Sequence, residues 1–129
     1  MDLIFATHNK HKATEASAIA GPKWNLQSLH DIGCDTDIPE TSNTLQGNAL
    51  QKAQFVVDHF HVNCFADDTG LEIEALDGRP GVYSARYAGE GCSFQDNINK
   101  VLQEMQDISN RKACFKTVIA LILDGETHF

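Results

Sequence analysis

The chain has 129 residues, 42% of them hydrophobic and 22% charged, and its 18 acidic residues outnumber its 10 lysines and arginines for a net charge of −8. That is enough chain for one domain with an ordinary apolar fraction, which excludes fibrous, low-complexity and disordered classes. The longest apolar run, Val118 to Leu123, falls far short of the ~20 residues a spanning helix needs, and no basic flank precedes a long apolar stretch near Met1, so the reading is a soluble cytoplasmic protein that does not enter a membrane.

Leu3-Ile4-Phe5-Ala6 is a short apolar strand that stops at Thr7-His8-Asn9. The Ala-rich segment from Lys10 to Ala20 then reads as a helix closed by Gly21-Pro22. Leu45, Asn48, Ala49, Lys52, Ala53, Val56 and Phe60 recur at helical spacing behind Ser42, Asn43 and Thr44, predicting a second helix over roughly 44–59. Val62 to Ala66 is the next strand and runs into Asp67-Asp68-Thr69-Gly70. Beyond it Leu71, Ile73 and Ala75 alternate with Glu72 and Glu74 up to Asp77-Gly78, and Pro80-Gly81 breaks the pattern again. Ser93 caps a third helix whose Ile98, Val101, Leu102 and Met105 make an apolar stripe assigned to the core. Trp24 is assigned to the core as well. Ala113 to Leu123 is one continuous strand, followed by the hairpin signal Asp124-Gly125. The four residues after it are too few to pair with the whole outgoing strand, so the expectation is a chain cut within a hairpin.

Two segments bear chemistry. Thr7-His8-Asn9-Lys10-His11-Lys12 lies where a strand hands over to a helix N-terminus. There free backbone N–H groups, the helix dipole and two ammonium groups suit a phosphate; the alternative is an ordinary capped helix start with solvated lysines. His8 and His11 are expected to contribute backbone rather than ring. Asp67-Asp68 ends an apparently buried strand, where α/β sheets bind ligands, or it belongs to a simple turn through Thr69-Gly70. Adjacent carboxylates on a strand face opposite ways, so one is expected at the site and a second metal carboxylate must come from elsewhere, with Glu40 a plausible donor. Hard oxygen ligands beside a phosphate suit Mg²⁺.

Charge and cysteines narrow the alternatives. Residues 1–30 and 109–129 each carry net +1, while residues 31–108 carry −10. No basic stripe runs along the chain, which argues against a nucleic-acid partner. Cys34, Cys64, Cys92 and Cys114 form no CxxC pair, so a zinc knuckle is not expected and the thiols are read as reduced. His30, His59, His61 and His128 show no spacing suited to metal.

Four motifs in register carry a resemblance. Phe5-Ala6-Thr7-His8-Asn9-Lys10-His11-Lys12 with Glu15 comes first, then Pro39-Glu40-Thr41 with Asn48-Ala49 and Lys52-Ala53. Phe65-Ala66-Asp67-Asp68-Thr69-Gly70-Leu71 and Pro80-Gly81-Val82-Tyr83-Ser84-Ala85-Arg86-Tyr87 complete the set. Together they resemble the Ham1 family of inosine triphosphate pyrophosphatases.

The resemblance implies an α/β fold with a mixed central sheet and flanking helices, in a single domain over residues 1–129 that is incomplete at its C-terminal end. It implies hydrolysis of ITP, dITP or XTP to the monophosphate and pyrophosphate, with Mg²⁺ as cofactor, in a homodimer. Carried over by position, Thr7, His8, Asn9, Lys10, His11 and Lys12 form the triphosphate loop and Lys52 adds charge near the phosphates. Asp68 is the catalytic carboxylate, Glu40 and Asp68 hold the metal, and Thr69 touches the substrate. Tyr83, Arg86 and Tyr87 are read as structural braces. The family's FGYDP segment and its late Ser-His-Arg, which hold the base, have no counterpart in this sequence. A nucleotide- or polyphosphate-binding module, or an inactive fragment, without turnover is therefore the second expectation.

Overall fold

A computed structural model describes all of residues 1–129. The elements in chain order are β1 (Asp2–Phe5), α1 (Lys10–Ala20), β2 (Asn25–Ser28), α2 (Leu45–Phe60), β3 (Cys64–Ile73), β4 (Pro80–Gly81), α3 (Phe94–Glu104), β5 (Ala113–Leu123) and β6 (Glu126–His128), with short 3-10 turns at Glu74–Leu76 and Ser84–Arg86. One mixed sheet runs in the order β2-β1-β3-β5-β6, and β4 pairs with β3 off that path. No helix is long and apolar enough to cross a membrane.

The chain divides into two compact units, Met1–Ser42 with Gln46–Asp67 and Val118–Phe129, and Asn43–Leu45 with Asp68–Thr117. In the first unit, β1 runs parallel to β2, with Asp2 opposite Asn25 and Phe5 opposite Ser28, and parallel to β3, with Ile4 opposite Cys64. Phe5 and Phe65 stack across that pairing at 4.4 Å between ring centroids. The α2 stripe closes onto the sheet: Ala49, Ala53 and Val56 join Ile4, Ala6, Cys64, Ala66, Ala120 and Ile122 in one buried cluster. Small alanines on this face let the helix approach the strands closely, while Val and Ile supply apolar area.

In the second unit the core is Ile73, Leu76 and Met105, with Leu71, Ala75, Val101 and Ile108 packed against it. Ser93 caps α3, as its sequence announces, and the structure adds a reciprocal box with Asp96. Tyr87 anchors this helix: its hydroxyl donates to Glu104, and Lys100 Nζ donates to its carbonyl at 2.8 Å. Arg86 lies over the Tyr83 ring, 5.2 Å from its centroid, which packs the short 3-10 turn on itself, while the contacts to α3 are those of Tyr87.

Three readings change. The tetrapeptide 67–70 is not a turn, because β3 continues through it to Ile73. Gly70 is there for close approach rather than for turning: a Cβ on it would lie 2.3 Å from the carbonyl oxygen of Gly81 on the paired β4. The α3 stripe is core only at Met105 and in part at Val101; Ile98 and Leu102 are 50% and 59% exposed. They line an open apolar groove of about 650 Å³ with Phe94 and Phe115. Trp24 is half-buried at the edge of a shallower apolar groove. The return strand after Asp124-Gly125 pairs only Glu126–His128 with Leu121–Leu123, the short pairing its four residues led one to expect.

Candidate functional site

The site in the first unit is built where the C-terminal end of β1 lies beside the Cys64–Asp67 part of β3. Ala6 N–H donates to the Phe65 carbonyl at 2.8 Å, which sets the loop after β1 beside Asp67 of β3. The loop then turns on its own side chains. Thr7 Oγ1 accepts from Asn9 N at 3.1 Å, and Asn9 Oδ1 accepts from His11 N at 3.0 Å and Lys12 N at 3.2 Å. Asn9 is therefore the N-cap of α1. Its amide already satisfies two of the N–H groups that the sequence offered to an anion, so an anion here meets the lysine side chains and the helix dipole first. The expectation that His8 contributes no ring is corrected: its Nε2 donates to the Thr36 carbonyl at 3.1 Å.

Two lysines from distant parts of the chain meet at Asp67. Lys12 Nζ lies 3.1 Å from Asp67 Oδ2, and Lys52 Nζ donates to the Asp67 carbonyl at 2.5 Å. Lys52 also pairs with Glu40 Oε1 at 2.8 Å. Its side chain is 14% exposed against 48% for Lys12. A charge so shielded from water needs a counter-ion, which Glu40 supplies, whereas the half-exposed Lys12–Asp67 pair is held weakly and can exchange partners. Glu40 and Lys52 line a cleft of about 300 Å³ with Thr7, His8, Asp37 and Ile38 among its walls. Lys10 and His11, on the first turn of α1, are exposed.

Asp68 and Thr69 belong to the second unit. Asp68 is half-buried, with its Oδ2 shielded from solvent. Thr69 is exposed on β3, where its hydroxyl shares a 2.8 Å hydrogen bond with that of Thr117 on β5. The alternation of a strand places Asp67 and Asp68 on opposite faces, as the sequence led one to expect. No group of three or more His, Cys, Asp or Glu side chains is placed to hold a metal by itself.

Sequence reasoning passed over three residues. Asp67, the member of the pair given no role, is the meeting point of both lysines. Asn48 and Gln51 of α2 tie down the loop after Glu40, and their signal was in plain sight: with Lys52 they recur at i, i+3 and i+4 on one helix face. The thiols stay clear of this chemistry. All four are free, and burial pushes the Cys64 thiol up to about 12 from its ordinary 9.0.

The Ham1 family model matches residues 3–129. The dITP/XTP pyrophosphatase of Porphyromonas gingivalis is 56% identical over 128 residues, covering 98% of this chain and 66% of the relative. That of Flavobacterium psychrophilum is 51% identical over 128 residues, covering 99% of this chain and 67% of the relative. The chain thus spans about two thirds of the length of the curated relatives it matches. The solved structure of the Staphylococcus aureus Ham1 protein superposes with a TM-score of 0.89 at 34% identity, covering 99% of this chain and 67% of that one. With a family model across nearly every residue and the same mixed sheet with flanking helices, this chain belongs to the Ham1 family.

Proposed function

We propose that this chain handles the triphosphate in the hydrolysis of dITP, XTP and ITP, which releases pyrophosphate and leaves the nucleoside monophosphate. The reaction itself is that named for its relatives, the dITP/XTP pyrophosphatases. The observation that carries the reading is the convergence of Lys12 and Lys52 on Asp67 beside the Thr7–Lys12 loop, which gathers two cations where a polyphosphate needs them.

Lys12, half-exposed, exchanges Asp67 for a phosphate oxygen. Lys52, held by Glu40, supplies a fixed charge. Thr7, His8, Asn9, Lys10 and His11 complete the wall on the phosphate side, and the Thr69 hydroxyl contacts the substrate. Asp68 accepts a proton as a water oxygen bonds to phosphorus. The P–O–P bridge to the departing pyrophosphate breaks, and its electrons leave on the pyrophosphate oxygen.

The resemblance assigns Glu40 and Asp68 to a hard divalent ion, and their chemistry suits it: Mg²⁺ is commonly held by one or two carboxylates plus phosphates and water. Bound there, Mg²⁺ would neutralise charge that develops on the phosphate oxygens. On the same resemblance the protein works in the cytoplasm as a homodimer, a state that sedimentation velocity measures directly.

The test is pyrophosphate release from dITP by this chain and by Asp68→Asn. Loss of a general base lowers turnover by about 10²- to 10⁴-fold. Equal rates would remove Asp68 from the reaction. Mg²⁺-dependent binding of pyrophosphate by the unaltered chain without any hydrolysis would make it a binding module instead.

A further inference from the structure

The loop that follows Glu40 runs antiparallel to the first turns of α2 and is fastened to it rung by rung. Glu40 Oε1 is 2.8 Å from Lys52 Nζ. The next residue, Thr41, is held twice by Gln51: its N–H donates to Gln51 Oε1 at 2.8 Å, and its hydroxyl accepts from Gln51 Nε2 at 3.0 Å. Ser42 N–H then donates to Asn48 Oδ1 at 2.8 Å. Three consecutive loop residues thus meet three residues of one helix face. The partners differ in character. Asn48 is fully buried within the first unit, where a lost partner disturbs packing, while Gln51 is half-buried and Thr41 is exposed.

We infer that Gln51 is a positioning residue for Glu40: its paired hydrogen bonds to Thr41 fix the backbone next to that carboxylate and so set how readily the loop accepts a divalent cation with its phosphate ligand. The inference rests on the reading of Glu40 as a metal carboxylate. A carboxylate on an untethered loop must be ordered each time a cation binds, and that ordering opposes binding. The Glu40–Lys52 pair cannot do this alone, because a cation drawing on the carboxylate weakens its hold on the ammonium. The Gln51–Thr41 bonds involve neither charged group and persist through the exchange.

The experiment titrates the full chain with Mg²⁺ and inorganic pyrophosphate by calorimetry, alongside Gln51→Leu, Thr41→Val and Glu40→Gln. A melting curve is recorded for each. Removing a group that orients a metal ligand weakens metal affinity by about tenfold, so Gln51→Leu should raise the Mg²⁺ concentration for half-saturation by that factor, with the midpoint of melting little changed. Thr41→Val, which keeps the N–H and loses the hydroxyl, should give a smaller rise of about twofold. An unchanged Mg²⁺ requirement in Gln51→Leu overturns the inference. Should that variant fail to fold, the requirement of Thr41→Val decides: raised supports the inference, unchanged overturns it. Glu40→Gln separates the two levels. If it leaves Mg²⁺ binding unaltered, the metal reading falls and takes the inference with it; if it weakens binding while Gln51→Leu does not, the inference alone falls.

Discussion

The first compact unit encloses a large apolar cluster, although Ile19 and Ile119 stay exposed beside its own shallow groove, whereas the second encloses only Ile73, Leu76 and Met105 and leaves Phe94, Ile98, Leu102 and Phe115 open along a groove. The contrast bears on where the cations can sit. Lys52 is mostly shielded from water, and such a charge is tolerated only where neighbouring atoms hold its partners in place. The buried faces of β1, β3 and α2 provide that: Ala49 and Ala53 are fully enclosed on the helix that carries Lys52, and Ala66 is enclosed just before Asp67. The second unit offers the opposite arrangement, a broad apolar surface with few enclosed atoms.

Paired truncations probe this contrast most sharply. Ile4→Ala removes a side chain that is 1% exposed from the first core and should cost about 2–5 kcal/mol, the range for large-to-small changes in packed interiors. The same change at Ile98, 50% exposed on α3, should stay within about 0.5 kcal/mol. Chemical denaturation of both variants reads the difference, and comparable losses would mean that α3 is more firmly packed than its exposure indicates.

A smaller effect is expected at Gly70. Its Cβ would lie 2.3 Å from the Gly81 carbonyl oxygen, a backbone atom that cannot swing aside, so Gly70→Ala should destabilise by about 1–3 kcal/mol through overpacking. Were Gly70 a turn glycine, the open space of a loop would absorb the methyl. A thermal midpoint equal to that of the unaltered chain would restore that reading.

The last effect, absent at neutral pH, concerns the first core alone. The Cys64 thiol holds its proton up to about 12 when folded but releases it near 9.0 when exposed. Between those values the unfolded chain binds fewer protons than the folded one, so stability falls as pH rises through that window and is unaffected below it. Cys64→Ala removes this slope while adding a cavity cost independent of pH. Melting midpoints of the two proteins between pH 8 and 11 should therefore converge, and parallel curves would show that the thiol is not enclosed.

Much of this architecture was legible in the sequence. The first helix, from Lys10 to Ala20, is bounded by Asn9 and Gly21, residues whose side chain and backbone freedom close a helix locally. Helix α3 announces itself through Ser93, and β5 through an apolar and β-branched run interrupted once, at Lys116. The site was legible in its residue types: lysines next to a helix start, and carboxylates on a strand. What escaped were pairings between residues far apart in the chain. Asp67 and Lys12 are separated by 55 positions, and nothing local to either marks the other.

By itself the sequence determined where helices start and stop and which residues bear charge, because capping, periodicity and ionisation are properties of a residue and its near neighbours. Its motifs in register also carried the family. Tertiary structure alone decided whether an apolar stripe is enclosed, whether Asp-Asp-Thr-Gly bends or runs straight, and which carboxylate each ammonium meets. Those outcomes depend on partners brought in by the sheet. β4 lies so close to β3 at Gly70 that only a residue without a side chain fits, and α2 presents Asn48, Gln51 and Lys52 to a loop that the sequence could describe only as a loop.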